Sequence, residues 1–325
     1  MKLTQNSREN KLIIVEGLTG LGKSTLAHFI ARQLQYHKIK ATWVHEGELG
    51  HPLSTDVDSS SIDLFMKVAL TKWQRFVSLN ESSGEIIILE ACFFNNLFET
   101  LFSHNVPTPK IYRYSDELQD TIQSLQPALV YLTQSDVKKA LAENFRRRGV
   151  GFKDFVIQLA TTTPYARHRG LTGYEGMIDF WQDFVALTDQ LYNRFRFQKT
   201  ALQNSACNWD SQKQQVVEFL SIPYIAEKQL SEDEAVDITG TYKDVQSDKE
   251  FIVQYHNQTL SANIFLDDWT RLIPQSENSF IAEGWHFLIR FKQDKSGKTR
   301  TLQIDGEDVD YHSLTGTVAE RVSNC

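Results

Sequence analysis

Ten residues near the start of the chain restrict its fold more than any other stretch. Glu16 to Thr25 read Glu-Gly-Leu-Thr-Gly-Leu-Gly-Lys-Ser-Thr, with Gly17, Gly22, Lys23 and Ser24 meeting the spacing G-x-x-x-x-G-K-[ST]. The apolar run Leu12–Val15 leads in as a strand, and Leu26, Phe29, Ile30 and Leu34 lead out at helical spacing. Glycines let the backbone curl so that successive N–H groups point inward. The helix N-terminus behind them adds roughly half a positive charge. Gly17, Leu18, Thr19, Gly20, Leu21, Gly22, Lys23, Ser24 and Thr25 are therefore expected to cradle the phosphates of ATP. In that cradle Lys23 reaches the β- and γ-phosphates and Ser24 offers its hydroxyl to Mg²⁺.

The rest of the N-terminal part fits such a loop. Strand patterns at Leu12–Glu16, Ala41–Glu46, Glu85–Glu90 and Ala128–Leu132, with a weaker one near Thr200–Gln203, alternate with helical patterns. The helical patterns run from Ile62 to Leu79, Val137 to Arg148, Tyr174 to Phe195 and Ser211 to Leu220. Such alternation predicts a parallel sheet flanked by helices, with ligands at the carboxyl ends of its strands. A chain of 325 residues has room for two domains, and we expect the first over residues 1–230.

Strand ends therefore carry the candidate chemistry. The second strand ends at Glu46, followed by Glu48, and the third ends at Glu90. Two carboxylates facing a phosphate site suit phosphoryl transfer, one for the acceptor proton and one, with Ser24, for the metal shell. Phe93, Phe94 and Asn95 follow Glu90 and are expected, with Glu48, to meet the acceptor. After the fourth strand comes a helix ending Arg146-Arg147-Arg148-Gly149, where Gly149 reads as a C-cap and the arginines as cations for the transferred group. Arg167 and Arg169 sit in a glycine-rich stretch, Thr161 to Gly176, that reads as a loop over the acceptor. Asn208-Trp209-Asp210 reads as a loop in which Trp209 offers a stacking surface to adenine.

Near residue 231 the pattern changes. Ser231-Glu232-Asp233-Glu234 reads as a charged linker, and short β-type runs follow at Gly240–Lys243, Phe251–Tyr255, Leu260–Phe265, Phe280–Ala282, His286–Phe291 and Thr301–Ile304. Asp294-Lys295-Ser296-Gly297 reads as a hairpin turn. The expectation for residues 231–325 is a small antiparallel β domain. It is acidic: residues 1–230 carry 25 Lys/Arg against 24 Asp/Glu, whereas residues 231–325 carry 9 against 17, which accounts for the net charge of −7. With no basic stripe beyond the arginine run, neither nucleic acid nor a membrane is an expected partner. His256, His286 and His312 are isolated and read as structural. Cys92, Cys207 and Cys325 are far apart, and the first ten residues carry no apolar signal region, so a reducing cytoplasm is the expected location.

The Glu16–Thr25 loop after its strand resembles that of the thymidylate kinase and deoxynucleoside kinase group. The Glu46 strand end and the Tyr131-Leu132 strand leading to an arginine-tipped helix resemble that group too, over roughly residues 11–222. The resemblance implies Lys23 and Ser24 as ATP·Mg²⁺ ligands, Glu46 as general base or metal-shell group, and Arg146 to Arg148 as lid cations. That group places an arginine directly after the third-strand acid, whereas Ala91 and Cys92 follow Glu90 here. The acceptor thus stays open between a nucleoside or nucleotide and another small hydroxyl compound, as in chloramphenicol phosphotransferase-like kinases. Thr239–Tyr242 and Leu272-Ile273-Pro274 resemble a small β domain appended to some serine-hydrolase-like proteins, to which no activity is attached.

The expected function is ATP-dependent phosphotransfer to a small hydroxyl- or phosphate-bearing acceptor, in a monomer or a homodimer. The alternative is a nucleotide-dependent switch or assembly ATPase whose C-terminal domain binds a protein partner. The chain lacks a guanine-specifying N-K-x-D run, which disfavours a GTPase switch.

Overall fold

The computed structural model describes residues 10–55, 61–203, 209–264, 269–309 and 313–322. The chain forms two compact units, Met1–Glu46 with Gly50–Tyr224, and Gly47–Leu49 with Ile225–Cys325.

In chain order the first unit contains β1 (Leu12–Gly17), α1 (Lys23–Tyr36), β2 (Ala41–Val44), α2 (Ile62–Asn80), β3 (Ile86–Glu90), α3 (Glu99–Ser103) and α4 (Thr108–Ile122). It continues with β4 (Ala128–Thr133), α5 (Val137–Thr161), α6 (Pro164–Arg169), α7 (Gly173–Arg194), β5 (Gln198–Gln203) and α8 (Trp209–Phe219). The five strands are all parallel, in the order β2-β3-β1-β4-β5. This is a parallel sheet flanked by helices, as the strand–helix alternation predicts. β1 lies in the middle and every one of its residues is buried, which is why it reads as an unbroken apolar run. β5 is an edge strand with only Leu202 buried, and its sequence signal is correspondingly weak.

Three local features differ from expectation. The 161–176 stretch is not a loop: Thr163 caps α6 by accepting from the Ala166 N–H (3.1 Å), and Gly170 closes it in the left-handed region. Gly149 is not a C-cap: the chain kinks there at φ 82°, ψ 177°, away from the left-handed region a cap would use, and α5 runs on to Thr161. Trp209 is the first residue of α8 rather than part of a loop; Asn208, beside it, lies outside the described residues.

α7 is anchored along its C-terminal half. Tyr131 on β4 hydrogen-bonds Thr188 (2.8 Å) and Asp189 (2.9 Å), and Lys199 Nζ donates to the carbonyls of Tyr192 and Asn193 in the last turn and of Phe195 just beyond it.

The second unit holds α9 (Glu232–Val236) and eight strands: β6 (Gly240–Asp244), β7 (Glu250–His256), β8 (Thr259–Ala262), β9 (Thr270–Ser276), β10 (Ser279–Ala282), β11 (Phe287–Gln293), β12 (Thr299–Gly306) and β13 (Val318–Arg321). Each strand pairs antiparallel with the next, and β13 returns to β6, closing a barrel. Eight strands enclose just enough space for side chains. Tyr242, Phe251, Phe280, Phe287 and Phe291 fill it, while alternate residues of β7 and β11 face outward. The 294–297 turn joins β11 to β12, with the Gly297 N–H donating to the Asp294 carbonyl (3.0 Å). Ser231 is no linker residue: it and Glu234 form a reciprocal capping box at the start of α9. His312, Cys207, Cys325 and the end of the 260–265 run lie outside the described residues.

Candidate functional site

β1 delivers the glycine-rich loop of residues 17–25 between the carboxyl ends of β3 and β4, where the strand order reverses direction. In register, Val15 faces Glu90 on one side and Glu16 faces Tyr131 on the other. Gly22 is the N-cap of α1 in the left-handed region (φ 87°, ψ 31°), no side chain caps the helix, and its first turn holds no acidic residue. The leading N–H groups of α1 have no intrahelical acceptor and point toward the loop, an arrangement that favours an anion.

Under this loop lies a set of carboxyl groups around one buried cation. Lys23 is buried, and its charge acts on Glu16, Glu90 and Glu99. Glu90 closes β3; its Oε1 accepts from Ser24 Oγ at 2.6 Å, while Oε2 is buried with no partner among the described residues. Burial, reinforced by the charge of Glu46, pushes the Glu90 carboxyl up to about 8. Glu46 lies two residues beyond β2, whose Val44 pairs with Leu89, and is solvent-exposed. The same charge, after desolvation, pushes half-buried Glu99 up to about 7.

Glu16 is fully buried, and desolvation raises its carboxyl to about 7 against the opposing pull of backbone donors and Lys23. It accepts from the N–H groups of Phe93 (2.6 Å) and Asn95 (3.3 Å). Oriented by its hydrogen-bond network, the Asn95 amide also donates to Glu16 Oε2 (3.1 Å) and the Gly17 carbonyl (3.2 Å). The segment after β3 is contorted: Ala91 (φ 54°) and Asn96 (φ 55°, ψ −64°) occupy positive-φ conformations, and Asn96 Nδ2 bonds the Ala91 carbonyl (2.9 Å). Glu16 is what pins this segment to the glycine-rich loop. The sequence reading passes over Glu16 and Glu99, which the fold brings beside Lys23. Glu16 stood in plain view as the residue before Gly17, but its partners lie 77 and 79 positions away.

The three arginines part company. Arg147 Nη2 donates to the Gly20 carbonyl (3.0 Å) and so reaches the glycine-rich loop. Arg146 pairs in two hydrogen bonds with exposed Glu143 (3.1 and 2.6 Å). Arg148 stacks on Phe152, 3.7 Å from the ring centre. Arg167 donates to the Thr162 carbonyl (2.5 Å), and Arg169 donates to Asn105 (3.1 Å) and stacks on Tyr165 (3.7 Å). Both hold the α6 turn together.

Phe93 and Phe94 are also packing residues first. Phe93 lies edge-on to Trp73, Phe98 and Phe195, and Phe94 to Tyr131. Phe94 and Asn95 do line a crevice with Gly17, Leu18, Tyr131 and Phe184, too narrow for a water molecule. Glu48 belongs to the second unit, where it forms an isolated bridge with Val309 and pairs with His286 (3.6 Å). Trp209 covers Gly22 so closely that any Cβ there would collide with its indole edge.

The donors fit a magnesium–nucleotide complex. Ser24 Oγ and the unpartnered Glu90 Oε2 are hard oxygen donors, and Mg²⁺ characteristically takes one or two such groups and draws the rest from phosphate and water. Among the described residues, no group of three or more His, Cys, Asp or Glu side chains is placed to hold a metal ion by itself, and no helix is long and apolar enough to cross a membrane.

No protein-family model matches the sequence, and no curated protein matches it. Among solved structures, a thymidylate kinase from Ehrlichia chaffeensis is similar over 64% of this chain and 97% of its own, at 13% identity and a TM-score of 0.39.

Proposed function

We propose that the first unit is an ATP·Mg²⁺-dependent phosphotransferase acting on a small hydroxyl- or phosphate-bearing acceptor. One observation carries the reading. The uncapped start of α1, which favours phosphate, sits beside a Ser24–Glu90 pair whose second carboxylate oxygen has no partner among the described residues.

The residues divide the work as follows. The Gly17–Thr25 backbone and Lys23 hold the nucleotide phosphates. Ser24 and Glu90 hold the metal, which when bound offsets charge on the phosphate oxygens. Arg147, already on the loop, supplies a cation to the transferred group. Glu46 is exposed beside Glu90 and takes the acceptor proton, a task for which buried Glu90 is poorly placed. The contact between Asn95 and Glu16 holds the segment after β3 in place beside these groups. Transfer is by positioning and electrostatics, with no covalent enzyme intermediate needed.

The test is ADP release from ATP, with and without Mg²⁺, against nucleosides, nucleoside monophosphates, sugars and small hydroxylated antibiotics, using Lys23→Ala as control. Strong stimulation by one acceptor class, absent in the control, is expected. Slow hydrolysis indifferent to every acceptor would instead favour a nucleotide-state switch, and an active Lys23→Ala variant would refute the site.

A further inference from the structure

Asn144 is the most anomalous polar residue near the phosphate loop. It lies on α5 and is only 1% exposed. Neither Oδ1 nor Nδ2 of its amide has a hydrogen-bond partner among the described residues. Buried amides are almost always paired, because an unpaired one forfeits its water without compensation.

The amide is not lost in an apolar core. A Cβ on Gly20 would come within 2.6 Å of Nδ2 and 2.7 Å of Oδ1, so the Asn144 amide rests directly on the bare Cα of the loop (φ 80° at Gly20). One helical turn further on, Arg147 donates to the Gly20 carbonyl (3.0 Å), which fixes this face of α5 against the loop. Beneath lies the uncapped N-terminus of α1. A buried donor without a partner thus meets a loop built for an anion.

We propose that Asn144 is a nucleotide-binding residue whose side-chain amide donates to a phosphate oxygen of the bound nucleotide. The inference rests on the phosphotransferase reading above. Nδ2 serves the phosphate because Oδ1, an acceptor, would repel it. The division of labour with Arg147 is chemical. Arg147 brings charge, whereas Asn144 brings a directed neutral hydrogen bond from a side chain with little room to move. Gly20 is what lets the amide lie this close, since any larger residue there would displace it.

The test uses the full chain without and with ATP·Mg²⁺. Wild type, Asn144→Leu, Asn144→Ala and Lys23→Ala are compared by calorimetric titration and by thermal melting. Removing an unpartnered amide should leave the melting temperature of the nucleotide-free protein unchanged or higher, while ATP binds on the order of tenfold more weakly in both Asn144 variants. An Asn144 that merely packs would give the opposite pattern, with a lower melting temperature and unaltered affinity, and that result overturns the proposal. Should Leu prove too large for the site, the Ala variant decides by the same two readings. Failure of the wild-type chain to bind ATP at all would defeat the phosphotransferase reading itself and this inference with it. Binding that Lys23→Ala abolishes and the Asn144 variants leave intact would overturn the inference alone.

Discussion

The Ser24 hydroxyl donates to Glu90 Oε1 across 2.6 Å, tying the first turn of α1 to the carboxyl end of β3. The bond joins the glycine-rich loop to an acid that burial holds largely protonated near neutral pH. A divalent cation arriving with ATP would take the place of that proton. Glu90→Gln copies the protonated acid in shape and removes its charge. It should fold at least as stably as wild type at pH 8 yet lose on the order of 100-fold in kcat and require far more Mg²⁺ for half-saturation. A Mg²⁺ titration of ADP release decides the matter, and a wild-type Mg²⁺ dependence in Glu90→Gln would remove the residue from the site.

The arginine run separates into unequal members. Arg147 touches the loop through the Gly20 carbonyl, Arg146 is tied up with exposed Glu143, and Arg148 lies flat on Phe152. Arg147→Ala should therefore reduce kcat/KM by on the order of 100-fold, a loss of the kind expected when a transition-state cation is removed. Arg146→Ala breaks only a solvent-exposed pair, worth under about 1 kcal/mol, and should leave the kinetics within a few fold. Equal losses in the two variants would show that the whole segment, rather than Arg147, carries the charge.

These assignments show which parts of the site are legible in the sequence. The glycine-rich loop is legible because its pattern records local backbone geometry: Gly22 is left-handed where α1 starts, and Lys23 and Ser24 follow directly. Glu90 is legible as a strand end. Glu16, Glu99 and Asn144 are not, because each matters through a partner brought near only by the sheet and the helices packed on it. Glu48 illustrates the reverse. Two positions after Glu46 it reads as part of the same strand end in the sequence, but its bridge is to Val309. In the barrel, β9 and β13 lack an apolar alternation strong enough to read, β9 because Pro274 interrupts it and β13 because it offers only four residues. The short helices α6 and α9 are held by the caps Thr163 and Ser231 rather than by periodicity, so a search for apolar faces passes them by.

Trp209 offers a spectroscopic handle on the loop. Its indole covers Gly22, where a methyl group would strike the ring and the left-handed backbone would be strained as well. Nucleotide binding at the loop should alter the emission of this tryptophan, and Trp209→Phe should abolish that change while retaining most of the affinity. Gly22→Ala is expected to lose nucleotide binding, because an L-residue there costs about 1–2 kcal/mol in backbone strain alone and must also push the indole aside. An emission change that persists in Trp209→Phe would place the responding tryptophan elsewhere.

Glu16 makes stability depend on pH in a direction opposite to that of an ordinary paired carboxylate. Its carboxyl titrates at about 7 when folded, against 4.5 for the exposed group, chiefly because burial disfavours the anion while the Phe93 N–H and Lys23 offset only part of that. Between those two values the folded chain holds a proton that the unfolded chain has released. Stability therefore falls as pH rises through this window, by about 3 kcal/mol once the pH exceeds the folded value. Glu90 and Glu99 push in the same direction, but both remain in a Glu16→Gln variant. Gln keeps a carbonyl oxygen for the Phe93 N–H and cannot ionise. Glu16→Gln should thus match wild type near pH 5 and exceed it at pH 8, with a flatter profile between. Urea unfolding of the two proteins at pH 5, 6, 7 and 8 reads this directly. Parallel profiles would mean that Glu16 keeps its ordinary titration in the folded chain, with its charge met by Lys23 and by the backbone donors of Phe93 and Asn95.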